Sequence, residues 1–151
     1  MALSQKLLLI SFISFGLASC AETPRDHVQV SGPIVVPANS KFIIKSPKPL
    51  AAPNVWNALC LLPADPKQLP PDGFTFRAAD GSTFIPKVAV RNAQGIEDSL
   101  TIVGGLGAEG GVWLCFFDST GQVLHAPFTD VVLVSPKELS LKAVKWHSSD
   151  K

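Results

Sequence analysis

The sequence predicts an all-β protein, built as a single and mostly antiparallel β-sandwich. All 13 prolines lie after residue 20, and before residue 86 their spacing leaves few intervals long enough for a helix. Short runs rich in β-branched and aromatic residues lie between these prolines. Turn-forming residues separate the runs at short intervals, which is a pattern typical of β-sandwiches.

Five runs in the first ninety residues have the length and composition of strands. They are residues 27–36, 41–45, 55–62, 74–78 and 82–90. The last two flank Asp80-Gly81, a dipeptide that favours a two-residue hairpin turn because Asp tolerates and Gly readily accepts a positive φ. We therefore predict a β-hairpin at Asp80-Gly81.

The second half of the chain continues the same pattern. Residues 99–103, 112–117, 122–124 and 128–134 are predicted strands. Residues 118–121, Asp-Ser-Thr-Gly, have the composition of a turn.

The segment 137–146 admits two interpretations. Residues 135–138, Ser-Pro-Lys-Glu, have the form of a capping box with proline at the first helical position, which predicts a helix. Alternatively, apolar and polar residues alternate on both sides of a one-residue shift at Ala143, as in a strand with a β-bulge. We favour the strand because the rest of the chain is predicted as strands. The alternating apolar residues are Leu139, Leu141, Val144 and Trp146.

The first 19 residues have the pattern of a secretory signal peptide. Lys6 precedes an apolar run that is far shorter than the roughly 20 residues a membrane-spanning helix needs. Residues 17–20, Leu-Ala-Ser-Cys, resemble the lipobox of bacterial lipoproteins. The resemblance implies a lipoprotein signal peptide at residues 1–19 and lipidation of Cys20, whereas the alternative is an ordinary secreted protein in which Cys20 is incidental.

Residues beyond the lipobox suggest location and domain organisation. In enterobacteria-like lipoproteins an aspartate after the cysteine favours the inner membrane, so the resemblance and Ala21 imply lipid anchoring in the outer membrane, with the domain in the periplasm. Residues 20–26 are short and polar and are predicted as a tether. Residues 27–148 then form one domain, because about 130 residues suit a single core.

Two further cysteines, Cys60 and Cys115, are expected to form a disulfide in an oxidising compartment. The competing interpretation, a reactive or metal-binding thiol pair, lacks ligand spacing because neither cysteine has another Cys or a His within four residues. Cysteines on an early and a late strand resemble those of the immunoglobulin fold, although Trp56 and Trp113 do not occupy its usual positions. The expected architecture is therefore immunoglobulin-like or jelly-roll-like, without a family assignment.

Residues 105–110 spell G-x-G-x-x-G, and Asp130 lies about 20 residues beyond, as in a dinucleotide-binding motif. That motif needs a helix after the glycines, whereas residues 112–117 are rich in strand formers. We therefore predict a flexible hairpin loop and expect no nucleotide, no other cofactor and no metal site. Leu106 and Glu109 are candidate binding residues because they are the only large side chains in this loop.

The charge balance gives no electrostatic footprint for nucleic acid. One of the 13 basic residues, Lys6, lies in the predicted signal peptide, so the remaining chain is formally neutral against 12 acidic residues. Neither G-x-S-x-G nor H-E-x-x-H occurs, and the three histidines are scattered. A pairing of His125 with Asp118 or Asp130 is a candidate catalytic arrangement, and Glu97-Asp98 is a candidate carboxylate pair. Isolated histidines on strands are usually structural, and adjacent carboxylates on a strand point to opposite faces, so we predict a non-enzyme.

Exposed aromatic residues offer another route to function. Phe116 and Phe117 are neighbours, so one of them must face outward on a strand. The candidate exposed anchors are Phe117, Trp56 and Trp146.

Three functional hypotheses follow. The preferred one is a non-catalytic protein-interaction module, either an accessory subunit of an envelope assembly or an immunity or inhibitor protein whose partner is an envelope protein or a secreted toxin. The second is a glycan- or peptidoglycan-binding sandwich that uses Trp56 beside Asn54 and Asn57. The third is an unrecognised enzyme.

Overall fold

The computed structural model describes residues 26–52, 56–70, 73–108, 110–118 and 125–149. The predicted signal peptide, Cys20, Glu109 and the predicted strand at 122–124 lie outside these residues. The described residues contain no α-helix, and none of their helical segments has the length and apolarity to cross a membrane. The all-β prediction is therefore confirmed.

The described strands largely follow the predicted ones, and a 3-10 helix, Pro66–Gln68, lies between the third and fourth. In chain order they are β1 (Asp26–Val36), β2 (Lys41–Leu50), β3 (Trp56–Pro63), β4 (Phe76–Arg77), β5 (Thr83–Phe84), β6 (Lys87–Asn92), β7 (Glu97–Ala108), β8 (Gly111–Phe117), β9 (Phe128–Val134) and β10 (Leu139–Ser149).

Eight strands form one continuous antiparallel sheet in the order β1-β10-β3-β8-β7-β6-β9-β2. β7 joins two halves of this sheet, because its first residues pair with β6 and its later residues pair with β8. The two end strands, β1 and β2, also contact each other, so the sheet curls around one core. Side chains from both halves fill that core, including Leu59, Leu114, Phe116, Phe128 and Leu133.

The last segment is a strand, as the alternating pattern favoured, and the capping-box interpretation is wrong. β10 lies between β1 and β3, and its pairing with β3 shifts register between Leu141 and Ala143. This shift is the predicted β-bulge, and it keeps the apolar residues on both sides of it in the core. The strand forms instead of the helix because a strand with this bulge places all four apolar residues in the core.

The predicted hairpin is present as β4 and β5, with Phe76 opposite Phe84. Its turn is wider than predicted: the N–H of Ala78 donates to the carbonyl of Ser82, and the φ of Gly81 is 85°. The carboxylate of Asp80 stabilises this turn by accepting hydrogen bonds from the backbone N–H and the hydroxyl of Ser82. The predicted strand 82–90 divides before Lys87, next to Pro86, which has no N–H to donate to a sheet.

Candidate functional site

The disulfide between Cys60 and Cys115 joins neighbouring strands of one half of the sheet. Cys60 on β3 lies directly opposite Cys115 on β8, with Cα atoms 4.0 Å apart and an S–S bond of 2.07 Å. The predicted disulfide is confirmed. It differs from the immunoglobulin arrangement, in which the disulfide connects the two facing sheets.

The disulfide belongs to a second apolar cluster, separate from the core. Leu59 and Leu61 of β3 face the core, so Ala58, Cys60 and Leu62 between them face outward. The same alternation applies to β8. We call this cluster the disulfide face; its members are the buried Ala58, Cys60, Leu62, Trp113, Cys115 and Ala143 and the half-buried Phe117.

Two predicted anchors meet at one edge of the disulfide face. Trp56, at the start of β3, is 52% exposed, and its ring centroid lies 6.0 Å from that of Phe117 in an edge-to-face arrangement. Toward β10, the Lys145 Nζ lies 5.9 Å from the ring centroid of Trp113, within the range of a cation–π interaction. The face therefore has an aromatic edge at Trp56 and a cationic edge at Lys145.

A groove of about 690 Å³ adjoins the cationic edge. Its walls include Trp113 and Lys145 on one side and Gly32 and Pro33 of β1 on the other. The groove follows from local sequence: the pairing of β1 with β10 shifts register between Ser31 and Ile34, where Gly32 has a φ of 134° and Pro33 cannot donate to the sheet.

The third predicted anchor, Trp146, is wrong as an exposed residue. Its side chain is 1% exposed, packs edge-to-face with Phe128, and donates from Nε1 to the Ala51 carbonyl at 2.9 Å. The physical reason is that β10 is an interior strand of the sheet, so its inward residues are covered from both halves. Nearness to the end of the sequence was a poor guide to exposure.

The glycine-rich segment is mostly strand and not the predicted loop, because β7 extends to Ala108. Gly105 lies against Gly73, so a Cβ added to Gly105 would lie 3.1 Å from the Gly73 carbonyl oxygen. A Cβ on Gly104 would lie 3.0 Å from the ring of Phe74. The glycines thus allow segment 73–74 to approach β7 closely. The backbone of Leu106 pairs with Trp113 in this hairpin.

The opposite half of the sheet has a different outer surface. Arg91 on β6 donates from Nε and Nη2 to Oδ2 of Asp130 on β9, at 3.0 and 2.7 Å. Lys41 forms an ion pair with Glu97 nearby. We call this outer side the charged face; its charged members are Lys41, Lys45, Lys87, Arg91 and Asp130, and the apolar Ile43 and Val132 lie among them.

His125 pairs with an acidic residue, but neither of the two considered from the sequence. Its Nδ1 lies 2.7 Å from Oδ1 of Asp98 on β7, and its backbone N–H donates to the other carboxylate oxygen at 3.2 Å. Asp130 is instead held by Arg91. The His125–Asp98 pair connects β7 to the segment before β9.

The other two histidines meet across the first and last described strands. His27 on β1 lies opposite His147 on β10, and their Nδ1 atoms are 3.0 Å apart. In the sequence the two histidines are 120 residues apart, and nothing near either one indicates the other. Their proximity could have been predicted only from the pairing of β1 with β10, and no local sequence pattern encodes that pairing.

Among the residues that the structure describes, no group of three or more His, Cys, Asp or Glu side chains could hold a metal ion. Comparison of the chain with protein-family models, with curated proteins and with solved structures gave no match. The surfaces described above are therefore the basis for a proposed function.

Proposed function

We propose that the protein is an exported lipoprotein, anchored in the outer membrane through Cys20, whose domain binds another envelope protein or a secreted toxin without catalysis. The support for the anchor is the lipobox-like sequence at residues 17–20 and the short polar segment that follows it. Several acyl chains on one cysteine hold a protein at a membrane more firmly than a single chain does.

The observation that carries the interaction proposal is the apolar disulfide face with its exposed aromatic edge. A sheet face turned away from the core is ordinarily polar. Here it carries a buried apolar cluster, and the accessible part of the face is its aromatic edge, where the 52% exposed Trp56 lies beside the half-buried Phe117. Tryptophan is enriched among the residues that dominate binding energy in protein interfaces.

The composition of the face specifies the chemistry of the partner. Trp56 and Phe117 fit an apolar pocket, whereas Lys142 and Lys145 line the groove at the opposite edge. A partner surface that places an apolar pocket beside carboxylates satisfies both edges. Charge pairs at the rim set association rate and specificity more than affinity, so the aromatic edge supplies most of the binding energy in this proposal.

The test is crosslinking in cells of the native host, followed by detergent solubilisation and affinity capture of the full-length chain. Trp56→Ala truncates the aromatic edge, and Ile43→Ala is the matched control because Ile43 is an exposed apolar residue on the charged face, away from the disulfide face. We expect one protein at near one-to-one ratio with wild type and Ile43→Ala, and its loss with Trp56→Ala. Equal recovery in all three would contradict the proposed surface.

The anchor has a separate test. Cys20→Ala should move the protein from the membrane fraction to the soluble fraction of the envelope, and mass spectrometry of the wild-type protein should find acyl groups on residue 20. An unmodified Cys20 would refute the lipoprotein proposal while leaving the interaction proposal intact.

Glycan or peptidoglycan binding is the second candidate, favoured by the exposure of Trp56. Stacking on a sugar ring needs adjacent polar groups. Asn57, one of the two amides considered, is buried and accepts a hydrogen bond from the Ser148 hydroxyl at 2.7 Å; Asn54 lies outside the described residues. Recovery of murein fragments alone in the capture experiment would favour this candidate over the protein-interaction module.

A further inference from the structure

Among the described residues, His27 and His147 form a pair of potential metal ligands that belongs neither to the core nor to the disulfide face. His27 and His147 project from directly opposed positions of β1 and β10, and their ring centroids are 4.5 Å apart. His27 is exposed and His147 is half-buried, so the pair is open to solvent on one side.

The separation of the two nitrogens matches the edge of a metal coordination shell. Imidazole nitrogens bind zinc at about 2.0–2.1 Å, so two such ligands lie about 2.9 Å apart at a right angle and about 3.3 Å apart in a tetrahedron. The Nδ1 atoms of His27 and His147 are already 3.0 Å apart. Binding therefore requires deprotonated Nδ1 atoms and only a small movement of the rings.

We propose that His27 and His147 form a two-histidine site for one divalent transition-metal ion, of the zinc, copper or nickel type. Imidazole ligands select these ions over magnesium and calcium, which prefer oxygen donors. Two protein ligands leave further coordination positions for water. This site goes beyond the proposed interaction function and does not depend on it.

The position of the site gives the metal a structural consequence. β1 is an end strand of the sheet, and its ladder in this sheet is with β10. A metal ion bound to one histidine from each strand links β1 to β10 beside Asp26, the first described residue. The ion thus fixes the part of the domain that follows the predicted tether.

The test measures binding of ZnCl₂ and CuSO₄ to the full-length chain in detergent by isothermal titration, with MgCl₂ as the negative probe. We expect saturable binding of one zinc or copper ion per chain. His27→Gln and His147→Gln should each weaken metal binding at least about 100-fold. This is the lower end of the gain in affinity that two linked ligands supply over a single one. His125→Gln is the matched control, because His125 lies with Asp98 elsewhere on the fold, and it should bind as wild type.

A second measurement separates ligation from a change in folding. In ¹⁵N spectra of the imidazole side chains, zinc should shift the Nδ1 resonances of His27 and His147 and leave those of His125 unchanged. Circular dichroism spectra of the variants should match wild type. Any of three results would overturn the proposal. Zinc and copper could fail to bind saturably, both single variants could bind as tightly as wild type, or zinc could shift the His125 resonances instead.

Discussion

On the outer side of β3 and β8, two cysteines, Trp113 and small apolar residues pack together, whereas on the outer side of β6 and β9 Arg91 and Asp130 form an ion pair. Both surfaces arise from the same two-residue alternation over one shared core. They differ in the outward-facing side chains that alternate with the core residues along each strand. The difference shows that the alternation fixes which side chains face outward, while the identity of those side chains decides whether an outer face is mainly apolar or carries ion pairs.

The largest expected effect compares the two sides of one strand. Phe116 is 1% exposed in the core, and the neighbouring Phe117 is half-buried on the disulfide face. Phe116→Ala should lower the free energy of unfolding by about 3–5 kcal/mol, because it leaves a cavity in the core. Phe117→Ala should cost less than half as much. Urea denaturation of both variants checks this, and equal losses would mean that the disulfide face is a second core.

The next effect concerns the disulfide itself. Replacing Cys60 and Cys115 together by alanine should lower the free energy of unfolding by about 2–4 kcal/mol, since the crosslink no longer restricts the unfolded chain. Chemical denaturation should show it, with the reduced wild-type protein as a second reference. If the double variant were as stable as the oxidised protein, the disulfide face would owe its cohesion to packing alone.

A smaller effect is expected on the charged face. Asp130→Asn removes the carboxylate that holds the partly buried Arg91, and should cost about 1–3 kcal/mol of unfolding free energy, as for a hydrogen bond to a charged group. Glu97→Gln is the control, because its exposed pair with Lys41 should contribute less than about 1 kcal/mol. Thermal denaturation of both variants at low and high salt measures the contribution of each ion pair. A larger loss of stability for Glu97→Gln than for Asp130→Asn would contradict this prediction.

The smallest effect lies in the β4–β5 hairpin, apart from both faces. Hydrogen bonds from the Ser82 hydroxyl and backbone, and then Lys137, lower the pKa of Asp80 from 3.8 to about 2. A lowered folded-state pKa contributes stability above pH 3.8 that is lost as the pH falls toward about 2. An NMR titration should find this pKa, and Ser82→Ala should raise it more than Lys137→Ala does. A titration of wild-type Asp80 near 3.8 would contradict it.

Strand content was predictable because it is encoded locally. Alternation in 139–146 even indicated the bulge, since a one-residue shift is visible in the sequence itself. Strand order is not local, so the sequence could not show that Cys60 and Cys115 are direct neighbours or that His27 meets His147. Nor could it show that Trp146 lies on an interior strand.

The glycines illustrate a second limit. A run of glycines after a strand is typical of a loop, because glycine weakens strands. Here Gly104 and Gly105 remain in β7 because another segment of backbone and the ring of Phe74 lie against them. That reason becomes visible only when residues 73 and 105 are seen together in space.

The place of β10 in the sheet also sets an order of assembly. It is the last described strand, yet it lies between β1 and β3. Until residues 139–149 have been synthesised, the facing edges of β1 and β3 have no partner, and unpaired edges are prone to aggregation. The sheet therefore cannot be completed before β10 is available, and a chain that stops short of residue 139 leaves the facing edges of β1 and β3 unpaired.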